Sequence, residues 1–246
     1  MCSVYSQKIK NPVDESFTGI EADILNEMYS VLGNRYEPIY NAWIGNNQTF
    51  LFTSDGEVKQ MLFGLTPVWS DKPMYLFNAR AEGKLNPEND PNYNGEKGIF
   101  KMPSFRTAIA KRRAILPVSF FIEGPEKEKL KKPFKVYRKN NRTFFVGCIW
   151  ETWTDKSTGE MIDTFAMVTT APAKLLHDVV KHHRSPLILE RNAIKTWLDA
   201  NSKPTDLAPL MKAFDSTDFV CHPISQAFKT KENKPEFFEP VEISDC

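Results

Sequence analysis

Six short segments rich in aromatic and β-branched residues constrain the fold of this chain more than any other feature of its sequence. Each is bounded by Asn, Gly, Asp or Pro, which favour turns, so each predicts a β-strand. The segments read "YEPIYNAW", "QTFLFTS", "VKQMLFGLTPVW", "FKVYR", "TFFVGCIWETW" and "DTFAMVTTA". Because only a few helical patterns lie between them, they favour an α+β fold in which helices flank a curled, barrel-like, mainly antiparallel sheet.

Helical periodicity is clearest over residues 20–32, where apolar side chains recur at helical spacing and the pattern stops before Gly33. Shorter helical patterns read "FRTAIAKRR", "AKLLHDVVKH" and "NAIKTWLDAN". Residues 83–98 hold too many Asn, Pro and Gly residues for regular structure and predict a long loop. The sequence shows no internal repeat and no stretch that resembles a linker, so we expect residues 1–246 to form a single domain.

Charge is distributed unevenly along the chain. The 246 residues are 41% hydrophobic and carry a net charge of +1, which argues against disorder and against a uniformly basic surface. Residues 101–142, however, hold 13 Lys and Arg against 3 Asp and Glu. This basic segment is typical of a surface that faces phosphates, although its stretch "EKEKLKKP" fits a solvated loop equally well.

The cysteines show neither the close pairs of a zinc site nor the dense spacing of a disulfide framework. They are Cys2, Cys148, Cys221 and Cys246. The sequence has no secretory signal pattern, and its longest apolar run, "AILPVSFFI", is too short to span a bilayer. We therefore expect a cytoplasmic protein that does not contact membranes.

Familiar ligand-binding and catalytic motifs do not occur in the sequence, which contains no GxGxxG, GxxxxGK[ST], GxSxG or HExxH pattern. His177 and His182 lie five positions apart, a spacing that does not place two imidazoles on one face of a helix. We therefore predict no metal site and no cofactor.

A cysteine directly follows the initiator methionine. Removal of Met1, which a small second residue permits, would leave Cys2 with a free α-amine and a thiol on adjacent carbons. These two groups together form a reagent for aldehydes. The alternative interpretation is a loose chain end without a chemical role.

Asn78, Glu123 and His182 are polar residues beside predicted secondary structure. Each also has a purely structural explanation: Asn78 as a turn residue, Glu123 as a solvated acid and His182 as a polar residue at a helix C-terminus. Glu123 fits its explanation least, because five of the seven residues before it are apolar. Burial there would raise the pKa of the carboxyl and suit it to general acid catalysis.

Separated blocks of the chain, in the same order, resemble the pattern of the SOS response-associated peptidase-like (SRAP) family. That pattern begins with Met-Cys and continues with WGLxP, NARxE, a PSFR…RRCLxP…GFYEW block, a TxxA helix and HxRxP. The corresponding stretches here are "MC", "FGLTP", "NARAE", "PSFRTAIAKRRAILPVSFFIEG" and "TTAPAKLLHDVVKHHRSP". The resemblance covers residues 2 to about 200.

The resemblance implies a protein of the DNA damage (SOS) response that recognises abasic sites in single-stranded DNA and crosslinks to them. Carried over by motif, the residues implied in catalysis are Cys2, Asn78, Glu123 and His182. The amine of Cys2 would form an imine with the ring-opened sugar, and the thiol would then close a thiazolidine. The family label also implies a cysteine autopeptidase that removes Met1, and a lyase-like activity.

The resemblance further implies contacts with DNA. The arginines that match family motifs and would bind phosphates beside the lesion are Arg80, Arg106 and Arg184. The expected partner is single-stranded DNA that contains abasic sites, and we expect a DNA-associated monomer without a cofactor.

The sequence departs from the family pattern at positions that concern nucleic acid. Val4 stands where the family has Arg, Phe63 replaces the Trp of WGLxP, and Gly124 replaces the Trp that follows the family glutamate. An aromatic residue after the glutamate would stack on a base, so we expect DNA affinity or lesion context to differ from the family. The loop of residues 83–98 resembles an insertion.

Two other classes of function stay open. An N-terminal-nucleophile hydrolase would use a processed Cys2 to attack an amide. A non-enzymatic module would bind single-stranded DNA through residues 101–142. Crosslinking distinguishes the three, because only the first hypothesis predicts an adduct that resists denaturation without borohydride reduction.

Overall fold

The computed structural model describes residues 3–11, 16–33 and 36–242, and Cys2 lies outside these ranges. In them the strands are β1 (Val4–Gln7), β2 (Ile39–Trp43), β3 (Thr49–Thr53), β4 (Val58–Phe63), β5 (Asn78–Arg80), β6 (Arg113–Val118), β7 (Phe120–Glu123), β8 (Phe134–Arg138), β9 (Phe144–Thr154), β10 (Met161–Thr170), β11 (Ser185–Pro186), β12 (Ile188–Leu189) and β13 (Phe219–Pro223). The helices are α1 (Ile20–Leu32), α2 (Arg106–Lys111), α3 (Arg191–Leu198) and α4 (Pro204–Leu207), with a π-helical turn at Leu176–Val180.

Five strands close into a barrel in the order β4, β3, β6, β9 and β10, because β10 pairs with β9 on one edge and with β4 on the other. Neighbouring strands in this ring are antiparallel except β4 and β10, which are parallel. The architecture confirms the α+β class and the curled, barrel-like, mainly antiparallel sheet that the sequence predicts.

Three barrel strands, β6, β9 and most of β10, are buried on both faces. Successive side chains of a strand point to opposite faces, and along β6 Ala114 and Leu116 belong to one apolar cluster while Ile115 belongs to another. The first cluster includes Phe121 of β7, and the second includes Trp197 of α3. Burial on both faces explains why these strands read as apolar runs rather than as alternating patterns.

A second sheet has the strand order β13, β8, β7, β1 and β2 and is antiparallel throughout. Its register pairs Val4 with Ile122 and Ser6 with Phe120. Because β1 and β7 run in opposite directions, the start of β1 lies beside the end of β7. The first described residues of the chain are thereby brought to Glu123.

The helix predicted for residues 20–32 is confirmed. The pattern "AKLLHDVVKH" instead contains the π-helical turn, which ends at Lys181 in the left-handed conformation with φ of 61°. π-Helical turns are often found at functional sites. Residues 83–97 form neither helix nor strand, as the predicted loop requires. In the described part of the chain no helix is long and apolar enough to cross a membrane.

Candidate active site

Glu123 is the last residue of β7 and is almost completely buried, with 3% of its surface exposed. Phe121 and Ile122, which precede it, lie in the apolar core. Burial raises the pKa of the Glu123 carboxyl, because removal from water disfavours the charged form. The structure therefore provides the buried acid that the apolar residues before Glu123 predict.

His182 directly follows the π-helical turn and Lys181, and it is also 3% exposed. Its Nδ1 lies 2.8 Å from the carbonyl oxygen of Gly124. Because a carbonyl oxygen only accepts hydrogen bonds, this contact assigns the proton to Nδ1 and leaves the lone pair on Nε2. Burial lowers the pKa of His182 to about 4, so the imidazole is neutral at neutral pH.

Glu123 and His182 meet although they are distant in sequence and stand on different elements. The distance between His182 Nε2 and Glu123 Oε2 is 3.6 Å, too long for a strong hydrogen bond. One group is an acid with a raised pKa and the other is a neutral base, so the pair can donate and accept protons at one substrate. The exposed Glu126 carboxylate approaches from the other side, 3.5 Å from Nδ1 of His182.

Both side chains line a cavity of about 660 Å³, a volume within the usual range for ligand sites. Ser3, before β1, and Phe77, before β5, line the same cavity. In the residues that the structure describes, no group of three or more His, Cys, Asp or Glu side chains is arranged to hold a metal ion.

Lysines surround the mouth of this cavity. We call the following set the lysine rim: Lys127, Lys129, Lys131 and Lys229. Three of them come from the stretch "EKEKLKKP", which the sequence leaves open between a phosphate-facing surface and a solvated loop. The fourth, like Ser3 and Phe77, has no signal in the sequence, because only the folded chain brings these distant residues together.

Asn78 begins β5, which pairs in parallel with β10. Its side-chain oxygen and nitrogen are both buried and find no hydrogen-bond partner among the described residues. Buried amide groups in proteins are nearly always hydrogen bonded. Asn78 adjoins Phe77 but is not itself among the residues that line the cavity of Glu123 and His182.

Arg80 and Arg184 converge on one buried carboxylate. Glu82 is 1% exposed, and its Oε2 lies 2.8 Å from NH2 of Arg184 and 3.8 Å from Nε of Arg80. Arg184 is buried and also donates to the carbonyl oxygen of Thr169 at 2.7 Å. Since 31% of the Arg80 side chain is exposed, Arg80 is the member of this pair that solvent can reach.

The basic segment of residues 101–142 includes cations that stabilise the fold. Arg113 is fully buried and donates hydrogen bonds to main-chain carbonyl oxygens near the ends of α2 and α3. Arg112 forms an ion pair with Glu151. Arg106, in contrast, is exposed at the start of α2. The charge excess of the segment is therefore divided between structural arginines and cations that can meet a ligand.

The departures from the family pattern are explained by packing. Phe63 is fully buried, where it stacks on Phe165 and meets Tyr5 edge-on. Val4 is fully buried in β1. A Cβ atom at Gly124 would overlap the carbonyl oxygen of Lys129, so this loop leaves no room for a larger residue. These positions support the protein and offer no surface on which a base can stack.

Comparisons with known proteins agree with one another. A family model described as SOS response associated peptidase (SRAP) matches residues 1–231. Abasic site processing protein YoqW of Bacillus subtilis is 28% identical over 212 residues, which cover 83% of this chain and 87% of that protein. Abasic site processing protein YedK of Escherichia coli is 26% identical over 212 residues, 83% of this chain and 86% of that protein. A crystal structure of a protein from Bacteroides thetaiotaomicron, 26% identical, superposes with a TM-score of 0.74 over 98% of this chain and 100% of that one.

Proposed function

Because the chain belongs to the SOS response associated peptidase (SRAP) family, we propose that it recognises abasic sites in single-stranded DNA and crosslinks to them through Cys2. The observation that carries the proposal is the acid–base pair of Glu123 and His182 in a cavity that Ser3 also lines. Two relatives are named abasic site processing proteins, which supports the class of substrate.

The pairing of β1 with β7 supports a role for the N-terminus in this cavity. Ser6 of β1 pairs with Phe120 at the start of β7, and Val4, which is closer to the N-terminus, lies towards the end of β7. Glu123 ends that strand. A reactive group at the start of the chain would therefore share a site with the buried acid and with His182.

The first chemical step would open the sugar ring. His182 would accept at Nε2 the proton of the C1′ hydroxyl, while the carboxyl of Glu123 donates its proton to the ring oxygen. The bond between C1′ and O4′ then breaks, and C1′ becomes an aldehyde carbon. The proton on the imidazolium would pass to the Glu123 carboxylate, 3.6 Å away, and restore the starting pair. Asn78 would orient the sugar or the amine through its free amide groups.

The second step would join protein and DNA. The α-amine of Cys2 adds to the aldehyde carbon. Glu123 then protonates the departing hydroxyl, which leaves as water, and its carboxylate takes back the proton of the nitrogen as the imine forms. The sulfur then adds to the imine carbon while the thiol proton moves to nitrogen, which closes the thiazolidine with the net loss of one water. An α-amine titrates near pH 8 and a lysine near about 10.4, so at neutral pH roughly a hundred times more of the α-amine is unprotonated. Ring closure is intramolecular, with effective molarities that reach about 10⁵ M in well-oriented cases.

The surface around the cavity fits a polyanion. The lysine rim stands at its mouth. Elsewhere on the described surface Arg106 is exposed and Arg80 is partly exposed, so both can also meet a strand. Such cations bind phosphates and position the strand without reading its sequence. We propose that Arg184 adds its charge beside Arg80 while Glu82 and Thr169 hold its guanidinium in place.

The amine of Cys2 becomes available only when Met1 has been removed. We propose that the protein carries out this cleavage itself, in line with the peptidase label of the family. Hydrolysis of the peptide bond between Met1 and Cys2 needs a proton acceptor for the nucleophile and a proton donor for the leaving amine. His182 and Glu123 would supply them.

Intact mass spectrometry tests the proposed function. The purified protein should lack Met1, and after mixing with an abasic oligonucleotide it should gain the mass of the oligonucleotide less one water. The gain should survive denaturation without borohydride. The same oligonucleotide with thymine at the lesion should give no adduct. A protein that mainly retains Met1, or an adduct that is lost on denaturation, would contradict the proposal.

The same measurement separates the other classes of function. An N-terminal-nucleophile hydrolase would release products from an amide and return to its own mass. A non-enzymatic module would bind both oligonucleotides through residues 101–142 and form no adduct with either. A durable adduct that depends on the lesion excludes both.

Substitution of neighbouring histidines should have very different effects. In protein from which Met1 has been removed, His182→Ala should slow adduct formation at saturating DNA by about 10² or more, the usual contribution of a positioned acid or base. His183→Ala is the matched control, because the adjacent His183 is exposed whereas His182 is buried against Gly124. Rates are measured on denaturing gels after rapid mixing. If both variants slow the reaction equally, the role assigned to His182 is wrong.

A further inference from the structure

The loop of residues 83–98 carries a lysine into the cluster around Glu82. Lys97, near the end of the loop, is 8% exposed. The next residue, Gly98, packs against the main chain of Glu82, since a Cβ atom there would lie 2.6 Å from the Glu82 carbonyl oxygen. The two ends of the loop are therefore in contact, and the main chain of Lys97 lies close to that of Glu82, whose carboxylate pairs with Arg80 and Arg184.

This cluster has more positive than negative charge. Burial lowers the pKa of Lys97, while the charge of Glu82 opposes this shift and the charge of Arg184 adds to it, as expected for groups that lie close together. Among the described residues, Glu82 is the one carboxylate within 4.0 Å of the side-chain nitrogens of Arg80 and Arg184, and no carboxylate lies that close to the Lys97 ammonium. Three cations around one carboxylate leave an excess of two positive charges.

Several hydrogen-bond donors of the cluster are not used by the protein. NH1 of Arg184 and Nε of Arg80 are buried and have no hydrogen-bond partner in the described part of the chain. Lys97 forms no hydrogen bond or ion pair there, and its ammonium instead lies 5.3 Å from the centre of the Tyr93 ring. Burial of like charges without compensation is costly, so an anion of charge near −2 would stabilise this arrangement.

We propose that Arg80 and Lys97 bind a terminal phosphate monoester of a DNA strand, with the buried charge of Arg184 adding to the attraction. The proposal rests on the proposed function in taking DNA as the partner. A phosphate monoester carries about −1.5 to −2 charge at neutral pH, which matches the excess of the cluster. An internal phosphodiester carries a single negative charge. The loop would therefore favour a DNA strand that ends at this cluster.

Fluorescence anisotropy with short unmodified strands tests this preference. A thymidine tetranucleotide carries a dye at one end and either a phosphate or a hydroxyl at the other, and both polarities are measured. In one polarity the parent protein should bind the phosphate-ended strand about tenfold more tightly, since charge-assisted hydrogen bonds contribute this much. Equal affinity for phosphate and hydroxyl ends in both polarities would overturn the proposal, and this comparison needs no variant.

Two variants test whether Lys97 causes the preference for the phosphate-ended strand. Lys97→Met keeps the length of the side chain and removes the charge, so the preference should fall to about twofold. Lys84→Met, at an exposed lysine of the same loop, should leave it unchanged. A preference that persists in folded Lys97→Met, checked by circular dichroism, would contradict the role of this residue.

Two further comparisons complete the test. The first distinguishes a DNA end from free phosphate as the ligand, and the second distinguishes this proposal from the proposed crosslinking function. Inorganic phosphate should displace the phosphate-ended strand only at concentrations far above the Kd of that strand. If inorganic phosphate binds as tightly as the strand, the site takes free phosphate and the assignment to a DNA end is wrong. Because these strands contain no abasic site, the binding result stands whether or not the protein forms a crosslink.

Discussion

A Cys2→Ser variant should still react with abasic DNA, but its adduct should survive denaturation only after borohydride reduction. Once Met1 has been removed, serine at position 2 keeps the α-amine, so the imine still forms. It lacks the thiol that captures the imine, and the hydroxyl is a much weaker nucleophile at neutral pH. We expect nearly complete loss of the heat-resistant adduct on denaturing gels, with recovery of most of the signal when borohydride is present during the reaction.

Cys221→Ser is the control for this experiment. Cys221 is a half-buried free thiol on β13, outside the proposed chemistry. Its replacement removes a thiol from the protein and should leave the durable adduct intact. An equally durable adduct from Cys2→Ser would show that the thiazolidine is not the product.

In protein from which Met1 has been removed, Glu123→Gln should slow adduct formation by about 10² or more at saturating DNA, because glutamine keeps the shape of the side chain and removes the proton donor. The dependence on pH should also change. Burial raises the pKa of Glu123, so its acid form persists to higher pH than that of an ordinary glutamate, and the parent rate should decline once that proton is lost. The variant should lack this decline and follow only the deprotonation of the amine. Neither protein should show an inflection near pH 6.5, because the pKa of His182 is lowered to about 4.

Glu126→Gln is the matched control, since it removes a carboxylate that also lies close to the His182 ring but is half exposed. It should change the rate little. DNA binding should persist in both variants, so the effect must appear in the rate of crosslinking rather than in affinity. If Glu123→Gln crosslinks at the parent rate, the role of Glu123 as proton donor is wrong.

Local features of the fold are readable from the sequence, and contacts between distant segments are not. The helix of residues 20–32 follows from a period of apolar residues within one segment. The burial of Glu123 follows from the apolar residues immediately before it. The approach of His182 to Glu123 depends instead on the way two sheets pack, and no pattern in either segment reports it. The π-helical turn before His182 is similarly hidden, because its residues have ordinary helical periodicity.

Charge counts are ambiguous for a physical reason. Arg113 contributes to the excess positive charge of the basic segment, but its guanidinium donates its hydrogen bonds to main-chain carbonyl oxygens. These contacts cannot be seen in the sequence. Lys97 is the opposite case, since the Asn, Pro and Gly residues around it indicate exposure while the contact of Gly98 with Glu82 buries it. Composition identifies the charges, and only the fold assigns them to the interior or to a ligand.

The position of β1 between β2 and β7 also has a consequence for the order of events during synthesis. β1 leaves the ribosome first, yet its pairing with β7 waits until about half of the chain, up to Glu123, has been made. His182 emerges later still. Strand pairings between distant segments form slowly, because the intervening chain must first be ordered. The nascent chain therefore carries Cys2 long before Glu123 and His182 are in place, and we expect the proposed removal of Met1 and crosslinking only in molecules that have completed both sheets.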